Sequence, residues 1–403
     1  MVSSTVDHMV AITVFLAATL LFIGLFNQTI QTAVLYQRHR ATATKASDLL
    51  DNILLSPGVP VNWGQTDTFP TGFGLQDPEF TQYKISSYSL MRLRSSVGDP
   101  VYYNATEQWY SNVTIDGQNF MLVPYNLALD YSAVTSMLGI NNSYGFQLTL
   151  TPIVTVSIQE TVNPKVVRVT AAGAGFPLSY ATMSYCLLKV GTKGQSPYYD
   201  ISFKTVIADE TGSVNLDIDV EAGDSYALIV YARQGGLVGV GYHEHVDFNL
   251  KRYVIPFIAS FENGTVLLAH SYDVHVDTPP ESAVFFNATF VLLSEDFTLR
   301  EMPLTQAKTF IVYGHGSDKT YENVTIPTHN PGILIVTYSS NNDEGAVLMP
   351  WGLGSMAFPV TFGGDPSKQE WVATDMRTVT VGGIAYQAEI AVWSLEGYQV
   401  IER

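Results

Sequence analysis

The feature that most constrains this chain is an uncharged apolar run near its start, which passes without a helix breaker into polar sequence. Val10 to Phe26 (VAITVFLAATLLFIGLF) carries no charge. As a helix it would be about 26 Å long, close to a bilayer hydrocarbon core of about 30 Å. A buried helix of a water-soluble protein is the competing reading. The flank MVSSTVDHM contains Asp7 and His8 but no Lys or Arg. A cleaved secretory signal is therefore not expected, and an uncleaved single-pass anchor is. No Gly or Pro occurs from Asn27 to Ser56, and Ala46, Leu49, Leu50, Ile53 and Leu54 fall on one helical face. Pro57-Gly58 then ends the helix. A helix from about Ser4 to Leu55 would be roughly 75–80 Å long, more than half of it an amphipathic stalk. Ala33, Val34, Ala41, Ala43 and Ala46 supply small apolar surface along its middle. No partner for that surface is evident within the chain, so a second copy or another envelope protein is expected there.

Only 14% of the 403 residues are charged and 46% are hydrophobic, which excludes a disordered acidic tail. The single cysteine, Cys186, excludes an intramolecular disulfide and a Cys-based zinc site. A net charge of −17 argues against a nucleic-acid partner, because phosphate binding needs a basic face. Orientation is contested within the sequence. Arg38, Arg40 and Lys45 follow the apolar run and nothing basic precedes it, so the positive-inside rule would place the bulk in the cytoplasm. Against this, only those 3 of the 20 Lys and Arg precede residue 51, and only Asp7 and Asp48 of the 37 Asp and Glu do, so the remainder of the chain is strongly acidic. Asn-x-Ser/Thr sequons stand at Asn104, Asn112, Asn141, Asn263, Asn287 and Asn323, more than chance would place there. The bulk is expected outside the cytoplasm.

After Pro57 the chain is rich in Tyr, Thr, Val and Phe and alternates with period two. Four units are expected: helix and stalk over 1–57, a β domain over 58–164, a sandwich over 165–248 and a second sandwich over 249–403. Phe146, Leu148, Leu150, Val154, Val156 and Ile158 share one parity with Pro152, which predicts one long strand near a sheet edge. Asp130 to Ile140 predicts a short helix closed near Gly139. Val214, Leu216, Ile218 and Val220 alternate with polar residues, and Tyr226, Leu228 and Val230 form the next strand. Thr378–Val381 and Ile384–Ile390 flank Gly382-Gly383, a two-residue hairpin turn. The fold class expected is mainly β: a long N-terminal transmembrane and stalk helix, then two or three antiparallel β-sandwich domains.

The apolar helix running into a stalk closed by DLLDNILLSPGVPVNWG (Asp48 to Gly64), then FGLQD (Phe73 to Asp77) and LGINNSYGFQLTL (Leu138 to Leu150), resembles archaeal type IV pilin-like membrane proteins over about residues 1–160. The resemblance implies helix packing on a β domain and a structural role in a surface assembly. A prepilin-peptidase site needs a basic leader, and MVSSTVDHM has none. Ala172 to Ala232 (from AGAGFPLSYATMSYCL to GDSYALIVYA) is similar to carboxypeptidase-regulatory-like, prealbumin-type sandwiches, which implies architecture and not activity.

His243-Glu244-His245 is the most tempting chemical motif. On a strand, His243 and His245 share a face, as two metal ligands would, with Asp247 in the same parity and His270 or His275 as further candidates. No third ligand has a fixed spacing, and the competing reading is a solvated strand end. Asp217, Asp219 and Glu221 also share a face, but their alternation with apolar residues indicates an exposed strand and not a calcium loop. Asn341-Asn342-Asp343-Glu344-Gly345 reads as a solvated turn. Gly173-Ala-Gly175 and Gly314-His-Gly316 lack the rest of a phosphate fingerprint, and no G-x-S-x-G, H-E-x-x-H or Walker loop is present. Cys186 lies among apolar neighbours and is expected to be buried. No enzyme activity, cofactor or metal is expected. The role expected is that of a membrane-anchored surface protein with a structural, pilin-like or envelope-contact function. A glycan or surface-polymer binding module and an ectoenzyme stand as the alternatives.

Overall fold

The computed structural model describes residues 2–93, 100–103, 106–115, 118–193, 196–221, 224–245, 254–271, 283–304, 310–313, 321–340 and 343–395. One helix, Val2–Leu55, is followed by mostly antiparallel sheets, so the chain is mainly β with a single long N-terminal helix. The helix ends where Gly58 takes φ of 83°. Its orphan carbonyls are then met by the FGLQD segment: Leu75 N–H donates to Ile53 O at 2.8 Å and Gln76 N–H to Ser56 O at 2.9 Å. Gly74 allows this approach, because a Cβ there would fall on the Ser56 carbonyl.

The buried end of the helix lies on a five-stranded sheet ordered Lys84–Ile85, Ala373–Val381, Ile384–Ser394, Tyr144–Pro152, Val360–Gly363. The hairpin expected near the C-terminus is present. Val381 pairs with Ile384, and Gly382 and Gly383 take φ of 57° and 87°, the double positive φ that a two-residue turn between twisted strands needs. The short helix is present as Tyr131–Met137, capped by Asp130, whose side chain accepts from Ala133 N–H at 2.7 Å, and followed by Gly139 at φ of 66°.

The long strand expected through Pro152 is two strands. Tyr144–Pro152 joins the helix-bearing sheet, whereas Val154–Glu160 joins a different one. Ile153 is the corner: its N–H donates to Ala385 O in one layer and its carbonyl accepts from Ala174 N–H in the next. Parity runs unbroken through the corner because both strands bury the same side, so alternation alone could not reveal the change of sheet.

A sandwich comes next, with its own core (Val154, Val169, Met183, Leu228, Val230 and others). One layer is Ser213–Asp217, Val166–Gly173, Val154–Glu160; the other is Ser196–Ile207, Thr182–Lys193, Ser225–Gln234, Leu237–His245. The middle of the second layer is buried on both sides. In Ser225–Gln234, Leu228 and Val230 face the sandwich core while Ala227, Ile229 and Tyr231 face the main core of the protein. The continuous apolar run YALIVYA is the sequence mark of such a strand.

The last two sheets are Tyr321–Thr325, Thr265–His270, Val254–Ser260, Gln118–Pro124, Gln108–Ile115, Val101–Tyr103 and Leu299–Pro303, Ala283–Leu293, Gly332–Ser340, Asp343–Trp351. Strand pairing therefore crosses the expected limits at 164 and 249. Leu122 pairs in parallel with Phe257, and Tyr144–Pro152 pairs with the hairpin strand Ile384–Ser394. Val154–Glu160, expected before the boundary, belongs to the sandwich after it. These joins are long-range, and period-two patterning specifies which face is buried but not against which strand.

Candidate functional site

The helix has two surfaces in series. From Val6 through Tyr36 its large apolar side chains, among them Phe15, Leu20, Phe22, Ile23 and Leu25, are exposed. It is long and apolar enough to cross a membrane, with a mean hydropathy of 2.6 in its most apolar stretch. Four threonine hydroxyls are satisfied within the helix: those of Thr13, Thr19, Thr29 and Thr32 donate to the carbonyls four residues earlier. From Thr42 the helix enters the protein, and Ala46, Leu49, Leu50, Ile53 and Leu54 are buried. Ala46 thus has its partner inside the chain, contrary to the expectation for the Ala-rich middle. Ala33, Val34, Ala41 and Ala43 remain exposed.

Arg377 fastens the helix to the sheet. Its Nε and Nη2 donate to the two Asp51 carboxylate oxygens at 3.1 and 3.3 Å, and Nη2 also reaches Ser47 Oγ at 3.2 Å. Asp375, at 2.8 Å from Nη1, holds the fork in place and is the largest cause raising the guanidinium above its ordinary pKa. Further toward the N-terminus, the His39 and Trp371 rings stack 4.2 Å apart at 8°. They border a cleft of about 290 Å³ between helix and sheet, lined by Arg38, Tyr144, Lys368 and Glu370 as well.

At the far side of the sandwich lies a second cluster. Gly239, Gly241, His243 and His245 share one face of their strand. A Cβ at Gly239 would strike Val154, and one at Gly241 would strike Val156, so the two glycines let this strand close on Val154–Glu160. The approach brings the next residues of that face to Glu160. His243 Nε2 lies 2.8 Å and His245 Nδ1 2.7 Å from Glu160 Oε1, and Tyr226 Oη donates to the same oxygen at 3.1 Å. Tyr226 stacks on His245 at 5.2 Å and 9°. Burial alone would raise the Glu160 carboxyl, but the three hydrogen bonds together hold it below its ordinary value. Burial and the Glu160 charge push the Tyr226 phenol up. His243 and His245 are on one face as expected, and both rings turn to a carboxylate that the sequence reading did not single out. Among the described residues no group of three His, Cys, Asp or Glu is arranged to hold a metal ion.

The other candidates do not converge. His270 is buried in the Thr265–His270 strand, apart from His243, while Asp247 and His275 lie outside the described residues. Asp217, Asp219 and Glu221 are exposed, and Glu221 pairs with Lys165 at 2.7 Å. Asn341, Asn342 and Gly314–Gly316 lie outside the described residues, whereas Asp343, Glu344 and Gly345 begin a strand. Gly173 to Gly175 forms a tight turn in which Ala174 and Gly175 take φ of 48° and 85°. Cys186 is buried, which pushes its thiol far up. Of the sequons, Asn141, Asn263 and Asn323 are exposed and Asn287 is half-buried; Asn104 and the Asn112 side chain lie outside the described part of the chain.

Sequence reasoning also missed Arg92, which is fully buried. Its Nε donates to Leu127 O at 2.9 Å, Nη1 to Trp63 O and to Thr66 O at 3.2 Å, and Nη2 to Thr68 O at 2.8 Å. The guanidinium lies over the Trp63 ring, 5.1 Å from its centroid, and burial brings it down to about 10. It ties the loop after the helix to the rest of the body. An Arg between Met91 and Leu93, with Arg94 next but one, carries no sequence signal for that role.

No protein-family profile and no curated protein matches the chain. Among solved structures it is similar to the BSP domain of a biofilm-associated protein at 10% identity, over 49% of this chain and 29% of that one, with a TM-score of 0.16. A two-domain fibronectin type III segment of chicken tenascin matches at 10% identity over 51% of this chain and 99% of its own, with a TM-score of 0.16. Trypsin-activated α2-macroglobulin from Escherichia coli matches at 10% identity over 57% of this chain and 18% of its own, with a TM-score of 0.19. This chain thus spans under a third of the length of the first and third of these proteins, and scores so low carry no inference about what it does.

Proposed function

We propose that this chain is a single-pass membrane protein whose helix both anchors it and forms part of its folded body, holding the β layers outside the cytoplasm for a structural, pilin-like or envelope-contact role. The observation that supports this most is the change along one unbroken helix. It is apolar on all sides and exposed at first, then apolar on one face and buried from Thr42 onward. A flexible tether would not need its last turns inside the core. The reading gives the body no catalytic residue. Membranes washed with alkaline carbonate should retain the protein, and protease added to intact cells should remove the β layers. Release by carbonate would overturn the anchor, and protection of the body until lysis would overturn its placement outside.

A second reading, binding of glycans, is favoured by one observation. Tyr102 and Trp109 are cross-strand partners, both exposed, with ring centroids 5.1 Å apart. Exposed Tyr125 continues the row, its N–H bonded to Trp109 O at 2.9 Å. Adjacent aromatic faces are surfaces on which sugar rings stack. Retention on polysaccharide resins that is lost in Trp109→Ala would support this reading; equal retention of both proteins would discard it.

A further inference from the structure

No charged residue or histidine lies between Met9 and Gln37. As helix that run spans roughly 43 Å, the thickness of a bilayer including its headgroup layers at about 40–45 Å. The first charge beyond it, Arg38, therefore emerges at headgroup level, and the body begins four residues later at buried Thr42. The protruding stalk expected from the sequence shrinks to about one turn. What stands at that level is the cleft of about 290 Å³ between the helix and the turn preceding Ala373.

Its chemistry is that of an interface. Arg38 and Lys368 outnumber Glu370, and His39, Trp371 and Tyr144 supply rings with a polar edge. The adjoining cleft adds Arg40 and Lys45 against Asp48. In a protein of net charge −17 this local excess of base is an inversion. Resting on the anchor reading above, we infer that the cleft bordered by Arg38, His39, Lys368 and Trp371 binds the headgroup phosphate of an anionic membrane lipid, seating the β body directly on the bilayer. The His39–Trp371 stack holds the turn that carries Lys368 against the helix, so both charges face one headgroup layer.

The test uses the full chain in nanodiscs of phosphatidylcholine alone or mixed with phosphatidylglycerol. Native mass spectrometry after stripping the disc should show phosphatidylglycerol retained in preference to phosphatidylcholine. Exchange of the backbone amides of residues 367–371 should slow only in the mixed discs. Lys368→Glu and Arg38→Glu, both at exposed positions, should each weaken that retention about fivefold or more while thermal unfolding is unchanged. Equal retention of both lipids by wild type and variants overturns the inference while leaving the anchor standing. Failure to enter discs of either kind removes both. Protection by inorganic phosphate in the absence of lipid would make this a soluble-anion site, and cross-linking of Lys368 to a second copy would make it an interface between chains; either result overturns lipid seating.

Discussion

The two halves of the long helix both carry apolar side chains and meet them in different ways. Over Val10 to Phe26 the apolar residues surround the helix, and none of the described residues covers them. Over Thr42 to Leu54 they occupy one face, and a sheet covers it. The difference is one of angular distribution. A helix apolar on every side needs an apolar solvent, whereas a striped helix needs one partner and leaves Asp48 and Lys45 to water. The contrast also separates what the halves contribute to stability. Burial of the second half is folding energy for the β body, and the first half contributes none to that body.

The largest expected effect breaks this contrast most directly. Leu50→Ala or Ile53→Ala, at positions with no exposure, should cost the body about 2–5 kcal/mol in detergent. Leu21→Ala should stay within about 0.5 kcal/mol. Equal unfolding temperatures for the two kinds of variant would mean that the helix end is not part of the core.

Arg92→Met should rank next, at about 3 kcal/mol, because it takes the donor from four carbonyls, of which those of Leu127 and Trp63 are buried. Arg92→Lys should recover less than half of that, since an ammonium does not reach in three directions at once. Full recovery by Lys would show that charge alone matters there. The Arg377–Asp51 pair is smaller. With side-chain exposures of 25% and 40% it should contribute about 0.2–1 kcal/mol in a double-mutant cycle, less at high salt. A coupling independent of salt would point to packing instead of charge.

The smallest effect is a pH dependence far from the helix. The Glu160 carboxyl is held below its unfolded value near 4.3, so its contribution is present above about that pH. It is lost as pH falls through the folded value. Glu160→Gln should flatten the acid limb of the stability profile below about pH 4.3 and leave helix docking unchanged. An unaltered acid limb would show that His243, His245 and Tyr226 do not stabilise the carboxylate.

Local features were legible because their causes are local. Asp130 caps a helix over the next three residues, Gly382-Gly383 turns a hairpin, and Pro57-Gly58 stops a helix, each through backbone conformation within a few positions. The shared face of His243 and His245 followed from strand geometry, but their partner Glu160 lies 83 and 85 positions earlier and is reached only because Gly239 and Gly241 let two strands close. Nothing in the spacing of His-Glu-His encodes that approach.

By itself the sequence determined the anchor-like apolar run, the stripe that continues it, the β character of the remainder and the absence of disulfides. All of these follow from composition and short periods. The tertiary structure alone decided that the C-terminal hairpin returns to the strand Tyr144–Pro152, that Ile153 turns an apparently continuous strand into a second layer, and that Arg377 locks the helix onto that sheet. Alternation states which face of a strand avoids water. The choice of neighbour is made by closing loops of very different length around a common core, and that free energy belongs to the whole chain.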